Sequence, residues 1–275
     1  NCYNLINRKS LPFQIKCNNS MVSDMLKSLG KEKVQLPIHY NEPLSMLQKQ
    51  CEKFMYANLL DKAANTEDPF LKLAYISGFI VSEVNLNINR ILKPFNPILG
   101  ETFEYFDNNL KYRFFSEQVS HNPPISAFIC ESDNFVFYGD TKSKNKFNLF
   151  KGNMELNFLN KYNLILKSSN DHFVFNKPDA FMKGLVFGTP HYDFKGIINI
   201  NEINNLKASA ILEFFEEGKK QKTPGYFEGK ILDENKEIRY LIKGKWDTNL
   251  YITDKDGLNK IEIWESSKEE FLCNS

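Results

Sequence analysis

A long series of short extended segments, running from residue 111 to residue 265, is the feature that most constrains how this chain can fold. Turn-forming clusters separate the segments, among them DN, SSND, EEGK, DENK and KDGLN. Because no stretch long enough for a crossover helix lies between the segments, neighbouring strands are predicted to form antiparallel hairpins. A twisted sheet with more than about ten strands tends to curl, close or split.

The sequence therefore predicts an α+β fold that is mainly antiparallel β, in which the strands close into a large, near-complete barrel. A barrel with this many strands leaves interior room for a ligand. The extended segments are, in chain order, KYRFFSEQVS, NFVFYGD, KFNLF, MELNFL, YNLILKSS, HFVFN, GIINI, ASAILEFF, GYFEGKIL, EIRYLIKGKW and IEIWE.

The first third of the chain is predicted to be helical. Ser20 to Gly30 places Val22, Met25, Leu26 and Leu29 at helical spacing between a capping serine and a closing glycine. A helix of this length is too short to be stable alone and must lie on an apolar surface. It is either a helix packed on the core or a movable cover over a cavity, and periodicity alone favours the first.

Two longer helices are predicted next. The first runs from Leu44 to Ala64, and the second begins at the Asp68 cap with Pro69 in its first turn and ends near Val84. Their inward residues are predicted to be Leu44, Leu47, Cys51, Phe54 and Leu59 in the first helix, and Phe70, Leu73, Ile76, Ile80 and Val84 in the second.

Charge and cysteine usage exclude several classes of protein. The chain has 35 Lys and Arg against 34 Asp and Glu, so it has no overall field that would attract nucleic acid. It has no apolar run long enough to span a bilayer, and its start lacks the apolar centre of a signal peptide. The five cysteines are scattered without a CxxC pair, which favours a reducing, cytoplasmic setting in which Cys51 and Cys130 are buried hydrophobes.

No motif of an enzyme, a metal site or a cofactor site is present in the sequence. There is no GxSxG, Walker loop, GxGxxG or HExxH, and the four histidines lack metal-ligand spacing. Glu101 and Glu117 are the only pair that suggests acid–base chemistry, and structural ion pairing is the favoured interpretation of both. The chain is therefore predicted to be no enzyme and to need no cofactor or metal.

Two proline-rich segments carry the polar groups of interest. EQVSHNPPISAF, residues 117–128, holds His121 and Asn122 where two prolines end a strand. KPFNPILGETFE, residues 93–104, holds Lys93 and Asn96 in a similarly stiff loop. Together these four side chains could donate hydrogen bonds to an anionic oxygen cluster such as a phosphate. The alternative is that both segments are merely proline-rich turns, and spacing alone does not decide between the two.

These segments resemble the signatures of the oxysterol-binding-protein-related family, in which the first reads EQVSHHPPISA. Further segments match the family in the family's order, from about Met21 to Tyr251, namely LPIHYNEPLSMLQKQCEKFMYANLLDKA, DPFLKLAYISGF, FYGDTKSKNKF and GKWDTNLY. The resemblance implies a single lipid-binding domain over residues 1–275, with a lid at 18–30, helices at 41–90 and a barrel at 93–265. The family domain continues beyond IWESSKEEFLCNS, so its C-terminal part is expected to be missing here.

The resemblance also implies a function. Members of the family hold one sterol or phosphatidylserine in a tunnel closed by the lid, and commonly exchange it for phosphatidylinositol 4-phosphate. Lys93, His121 and Asn122 match the positions that bind the phosphoinositide headgroup, and Asn96 matches an asparagine that helps to hold phospholipid headgroups. Asn122 stands where the family has a second histidine, which predicts weaker and less pH-sensitive binding of phosphoinositide.

The expected setting follows from the same resemblance. The lid residues, Val22, Met25, Leu26 and Leu29, are expected to face the lipid when the tunnel is closed and to touch the bilayer when it is open. The chain is expected to be a cytoplasmic monomer that meets membrane surfaces transiently, with no nucleic-acid partner. The alternative function is a lipid sensor that signals through a partner without net transport.

Overall fold

The computed structural model describes residues 38, 41–88, 90, 92–148, 152–185, 189–204, 207–217 and 223–266. The strands are β1 Asn41–Ser45, β2 Lys93–Phe95, β3 Thr102–Asp107, β4 Tyr112–His121, β5 Pro124–Ser132, β6 Phe135–Asp140, β7 Ser143–Asn148, β8 Asn153–Phe158, β9 Tyr162–Leu166, β10 Asp171–Phe175, β11 Asp179–Lys183, β12 His191–Glu202, β13 Ala208–Phe214, β14 Tyr226–Asp233, β15 Ile238–Lys245, β16 Asn249–Thr253 and β17 Ile261–Glu265. The helices are α1 Met46–Glu52, α2 Ala57–Ala64 and α3 Pro69–Asn85, with a 3-10 turn at Lys53–Tyr56 between α1 and α2.

Strands β3 to β17 form one 15-stranded sheet in which every described pairing is antiparallel. Most neighbours in the sheet are also neighbours in sequence, as expected for hairpin connections. The long strand β12 divides the sheet, because its first half pairs with β11 and its end pairs with β10. The prediction of a mainly antiparallel fold is confirmed.

The sheet is not closed among the described strands. Its main path runs from β17 to β3, and these two end strands do not pair with each other. The near-complete barrel therefore stays a prediction. Strand β1 lies outside this sheet and pairs in parallel with β2, which begins the proline-rich segment at residues 93–104.

The two longer helices form where the sequence predicts them, with two corrections. The prediction of one helix from Leu44 to Ala64 is wrong, because the 3-10 turn at Lys53–Tyr56 divides it into α1 and α2. The predicted start at Leu44 is wrong, because Leu44 and Ser45 belong to β1 and Ser45 caps α1 through a reciprocal pair of hydrogen bonds with Gln48. Helix α3 begins as predicted, since the Asp68 side chain accepts from the backbone N–H groups of Phe70 and Leu71. The predicted helix at residues 20–30 lies outside the described residues.

An aromatic core joins the helices to the sheet. Phe54 is fully buried, and its ring centroid lies 5.9 Å from that of Phe79, 5.7 Å from that of Phe114 and 5.4 Å from that of Phe137. Helix α3 packs on strands β13 to β17 and buries residues on almost every side. Helix α3 is therefore part of the core. None of the described helices is long and apolar enough to cross a membrane.

Candidate functional site

The first signature segment is a hairpin. Strand β4 ends at His121, the Asn122–Pro123 peptide bond is cis, and β5 begins at Pro124, which pairs with His121. The Ser120 hydroxyl donates a hydrogen bond of 2.7 Å to the Pro123 carbonyl across this turn. The turn therefore presents His121 and Asn122 at the tip of two paired strands, as the sequence predicts for an end-of-strand site.

The second signature segment lies directly beside this hairpin. The Gly100 N–H donates to the Gln118 carbonyl at 2.9 Å, and the Gln118 N–H donates to the Glu101 carbonyl at 2.9 Å. Strand β3 then continues the pairing with β4, starting from Thr102 opposite Glu117. Backbone hydrogen bonds thus hold the two signature segments side by side, although their sequence positions do not reveal it.

The four predicted headgroup residues are all exposed. Lys93 and Asn96 lie on the second segment, and His121 and Asn122 lie at the hairpin tip. Within the described part of the chain, none of these four side chains has a hydrogen-bond or ion-pair partner, so their donors are free for a ligand. The four are not in contact with one another through hydrogen bonds, and their convergence on one headgroup remains a prediction.

The four predicted lid residues, Val22, Met25, Leu26 and Leu29, lie outside the described residues. The favoured interpretation of Glu101 and Glu117 as members of ion pairs is wrong for the described residues, among which neither carboxylate has a cationic partner. The Glu101 carboxylate accepts from the Ile98 backbone N–H at 3.0 Å and so stabilises the loop on which it lies.

The inner face of the β4–β5 hairpin changes from apolar to polar towards its tip. Phe114 and Phe128 are buried and their rings stack, whereas Gln118 and Ser126 are buried nearer the turn. The Ser126 hydroxyl donates to Gln118 Oε1 at 2.5 Å, and Gln118 Nε2 donates to the Ser120 carbonyl at 2.9 Å. Sequence reasoning missed this polar pair, although the alternation of residues along β4 contained the signal.

The sequence analysis also did not predict a buried lysine, Lys53. Lys53 is 2% exposed, and its ammonium lies 3.9 Å from the centre of the Phe128 ring, 2.9 Å from Gln50 Oε1 and 3.4 Å from Glu83 Oε1. Burial lowers the pKa of Lys53 to about 7, and the Glu83 carboxylate opposes this effect. Nothing in the helical pattern distinguishes Lys53 from a solvent-facing lysine.

Glu83 is shared by two lysines. Its carboxylate also pairs with Lys177, whose ammonium lies 4.9 Å from the centre of the Tyr162 ring. Burial acts to raise the pKa of Glu83, but the two ammonium groups outweigh it and lower the pKa. While Lys53 is protonated, Lys53, Glu83 and Lys177 together carry one excess positive charge next to the aromatic core.

Comparison with known proteins identifies the family. A family model described as oxysterol-binding protein matches residues 20–272. The chain belongs to the oxysterol-binding protein family. It is 35% identical over 237 residues to the human oxysterol-binding protein-related protein 6, and 34% identical over 244 residues to oxysterol-binding protein homolog 2 of Saccharomyces cerevisiae. Each match covers 85% of this chain but only 25% and 19% of those relatives, so the chain spans a quarter or less of their length.

Solved structures of the oxysterol-binding protein family share the fold. The chain is similar to the Osh1 ORD domain in complex with cholesterol, with a TM-score of 0.79 and 29% identity. It is also similar to the Osh3 ORD of Saccharomyces cerevisiae in complex with PI(4)P, with a TM-score of 0.80 and 27% identity. Each similarity covers 94% of this chain, and 63% and 68% of those two structures respectively.

Proposed function

We propose that this chain is a lipid-binding and lipid-transfer domain that holds one sterol or phospholipid and exchanges it for phosphatidylinositol 4-phosphate between membranes. The observation that carries the proposal is the backbone pairing of the two signature segments through Gly100, Glu101 and Gln118, the segments that carry the proposed donors. The related Osh1 and Osh3 domains, which hold cholesterol and PI(4)P, support the same two lipid classes.

The proposed mechanism is physical, with no bond made or broken. A lipid that crosses water exposes apolar surface at about 25 cal/mol per Å², which makes unassisted transfer slow. An apolar tunnel covered by a lid removes that penalty during transit. The tunnel would lie within the curved sheet, and the segment at residues 18–30 would close it.

Recognition of the headgroup is proposed to fall to Lys93, Asn96, His121 and Asn122. The ammonium, the imidazole and the two amides would all donate hydrogen bonds to an ionised phosphate, and the ammonium would add a positive charge. A sterol has no phosphate and gains nothing from these donors. The site would therefore favour the phosphoinositide without contributing to sterol affinity.

The setting is proposed to be the cytoplasmic surface of membranes, which the domain would meet transiently as a monomer. Ile98 and Leu99 are 70% and 64% exposed on the loop beside the hairpin tip. Apolar side chains in this position can enter the headgroup region of a bilayer while Lys93 meets anionic lipid.

The test is lipid extraction from liposomes by the Lys93→Ala variant. Phosphoinositide extraction is expected to fall about tenfold or more, because a charge-assisted hydrogen bond is lost, while sterol extraction stays unchanged. Lys255→Ala, at an exposed lysine on the turn between β16 and β17, is the matched control and is expected to extract both lipids normally. Equal losses of both lipids in Lys93→Ala would contradict the proposed role.

A further inference from the structure

We propose that Arg90, held between Glu42 and Glu52, is a positioning residue that sets the place of Lys93 for headgroup binding. This inference rests on the proposed role of Lys93 in binding a phosphorylated headgroup. The three charged residues form a cluster, here called the Arg90 clamp, which joins helix α1, strand β1 and the segment that leads into β2.

The geometry of the Arg90 clamp is that of a bridging guanidinium. Arg90 Nη2 lies 2.8 Å from Glu42 Oε2, and Arg90 Nη1 lies 2.5 Å from Glu52 Oε2. The side chains of Arg90, Glu42 and Glu52 are 9%, 3% and 18% exposed, so the clamp is largely removed from water. Lys49 lies 3.2 Å from Glu42 and balances the remaining negative charge.

Electrostatics keeps the clamp charged. Burial acts to lower the pKa of Arg90, but Glu52 and Glu42 outweigh it and raise the pKa. Tyr192 of β12 is also close to the clamp, and burial together with Glu42 raises its pKa to about 12. The ion pair between Arg90 and Glu52 ties the clamp to α1.

The clamp is connected to the backbone near Lys93 by two routes, one across the strand pair and one along the chain. Glu42 follows Asn41, which is the strand partner of Lys93 in the parallel β1–β2 pair. Asn41 Nδ2 also donates to the Pro94 carbonyl at 3.4 Å, and Arg90 lies three residues before Lys93 on the same chain segment. Strand β1 is thus tied to the guanidinium through Glu42, and the guanidinium belongs to the chain segment just before β2.

Such an anchor is needed because the β1–β2 pair is small. A pair with only five and three residues is not stable alone. The register shifts between the residue pairs Asn41–Lys93 and Ser45–Phe95, so the hydrogen bonds between the two strands fix their alignment weakly. A slip of one residue would turn the Lys93 side chain to the opposite face of the strand. A buried ion pair is a weak source of stability but can specify one geometry.

The experiment is a double-mutant cycle between Arg90→Gln and Lys93→Ala, with affinity for a soluble short-chain phosphatidylinositol 4-phosphate as the readout. Arg90→Gln is expected to weaken binding about tenfold in the natural background, because Lys93 loses its fixed place. In the Lys93→Ala background, Arg90→Gln is expected to cause no further loss. Sterol capture is expected to be unchanged by Arg90→Gln.

Three further variants make the outcome decisive. Arg113→Gln is the matched control, since Arg113 pairs with Glu104 on the surface, and it is expected to bind like the natural chain. Asn41→Ala and Glu52→Gln enter the same cycle with Lys93→Ala if Arg90→Gln does not unfold cooperatively. They are expected to show the same non-additive loss.

The outcomes separate the two proposals. Equal losses from Arg90→Gln with and without Lys93, or a parallel loss of sterol capture, would overturn the positioning role and leave the proposed function standing. If Lys93→Ala itself leaves phosphoinositide affinity unchanged, the proposed headgroup role fails, and the inference fails with it. A loss seen only when Lys93 is present supports both.

Discussion

At the scale of single residues, position 122 determines how much charge the hairpin tip can carry. Asn122 donates hydrogen bonds but never carries a proton charge, whereas a histidine there would be partly charged below about pH 6.5. It lies next to His121 on a rigid turn and is exposed. The second positive charge that the family motif supplies at acidic pH is therefore absent in this chain.

Substituting histidine for Asn122 tests this interpretation of position 122. Asn122→His is expected to raise phosphoinositide affinity and to make it increase as pH falls through about 6.5, because the phosphate favours the imidazolium form. The measurement is a titration with soluble phosphatidylinositol 4-phosphate at several pH values. His172→Asn, at the His172 that contacts Asn163, is a control expected to leave the profile unchanged. An unaltered affinity and profile in Asn122→His would refute the role assigned to this position.

The shared carboxylate of Glu83 predicts opposite effects of two substitutions. Glu83→Gln leaves Lys53 and Lys177 without a counter-charge and is expected to lower the free energy of unfolding by about 3–5 kcal/mol. Lys53→Met leaves one balanced pair and fills the apolar site, so stability is expected to stay equal or rise. Urea unfolding measures the free energy of unfolding of both variants. A larger loss of stability in Lys53→Met than in Glu83→Gln would contradict the role of Glu83 as the counter-charge of both lysines.

Lys53 also predicts a pH dependence of stability. Its pKa is about 7 in the folded chain, against the ordinary 10.5 expected after unfolding. Between these values the unfolded state binds one more proton, so the contribution of Lys53 to the free energy of unfolding increases as pH rises. The natural chain should gain stability relative to Lys53→Met between about pH 7 and about pH 9. A difference that does not change with pH would show that Lys53 is not desolvated.

At the scale of elements, local signals in the sequence predict starts and turns well. The Asp68 cap and Pro69 give the start of α3, and the paired prolines give the end of β4. The strand at Asn41–Ser45 could not be foreseen, because its partner lies at Lys93, far along the chain. A two-stranded parallel contact between distant segments leaves no local periodicity to detect.

The loop between β2 and β3 is the element whose membrane role can be tested. Replacing Ile98 and Leu99 by serine removes exposed apolar surface that would enter the bilayer, so binding to liposomes is expected to weaken several-fold. Leu258→Ser is the matched control, since Leu258 is 73% exposed on the turn before β17. Unchanged co-sedimentation of the double variant with liposomes would remove this loop from the membrane contact.

At the scale of the whole molecule, the sequence predicts the class of fold but not its closure. Turn chemistry and short strands are local, and they correctly predict hairpins and an antiparallel sheet. Whether β17 meets β3 depends on the twist accumulated over the whole sheet, which no local pattern encodes. The four proposed donors and the buried Gln118–Ser126 pair all lie in the signature segments, and the alternation along β4 carried the signal for that pair. The Arg90 clamp depends on contacts between distant segments, which no local pattern encodes.

The interior of the described sheet is partly filled, which limits where a lipid can lie. Phe54 and the rings around it pack between the helices and β4 to β6. Truncating Phe54 to alanine is expected to lower the free energy of unfolding by about 3–5 kcal/mol, because it leaves a cavity in this core. The proposed lipid tunnel would therefore run beside this aromatic core and not through it.

Native mass spectrometry of the chain after incubation with liposomes that contain both a sterol and phosphatidylinositol 4-phosphate tests the central claim most directly. The account predicts one lipid per chain, with either lipid bound and each displacing the other, and Lys93→Ala retaining only the sterol form. Transfer between two liposome populations in the same experiment separates a carrier from a sensor that binds without shuttling. Detection of the chain without lipid, or with both lipids bound at once, would contradict the account.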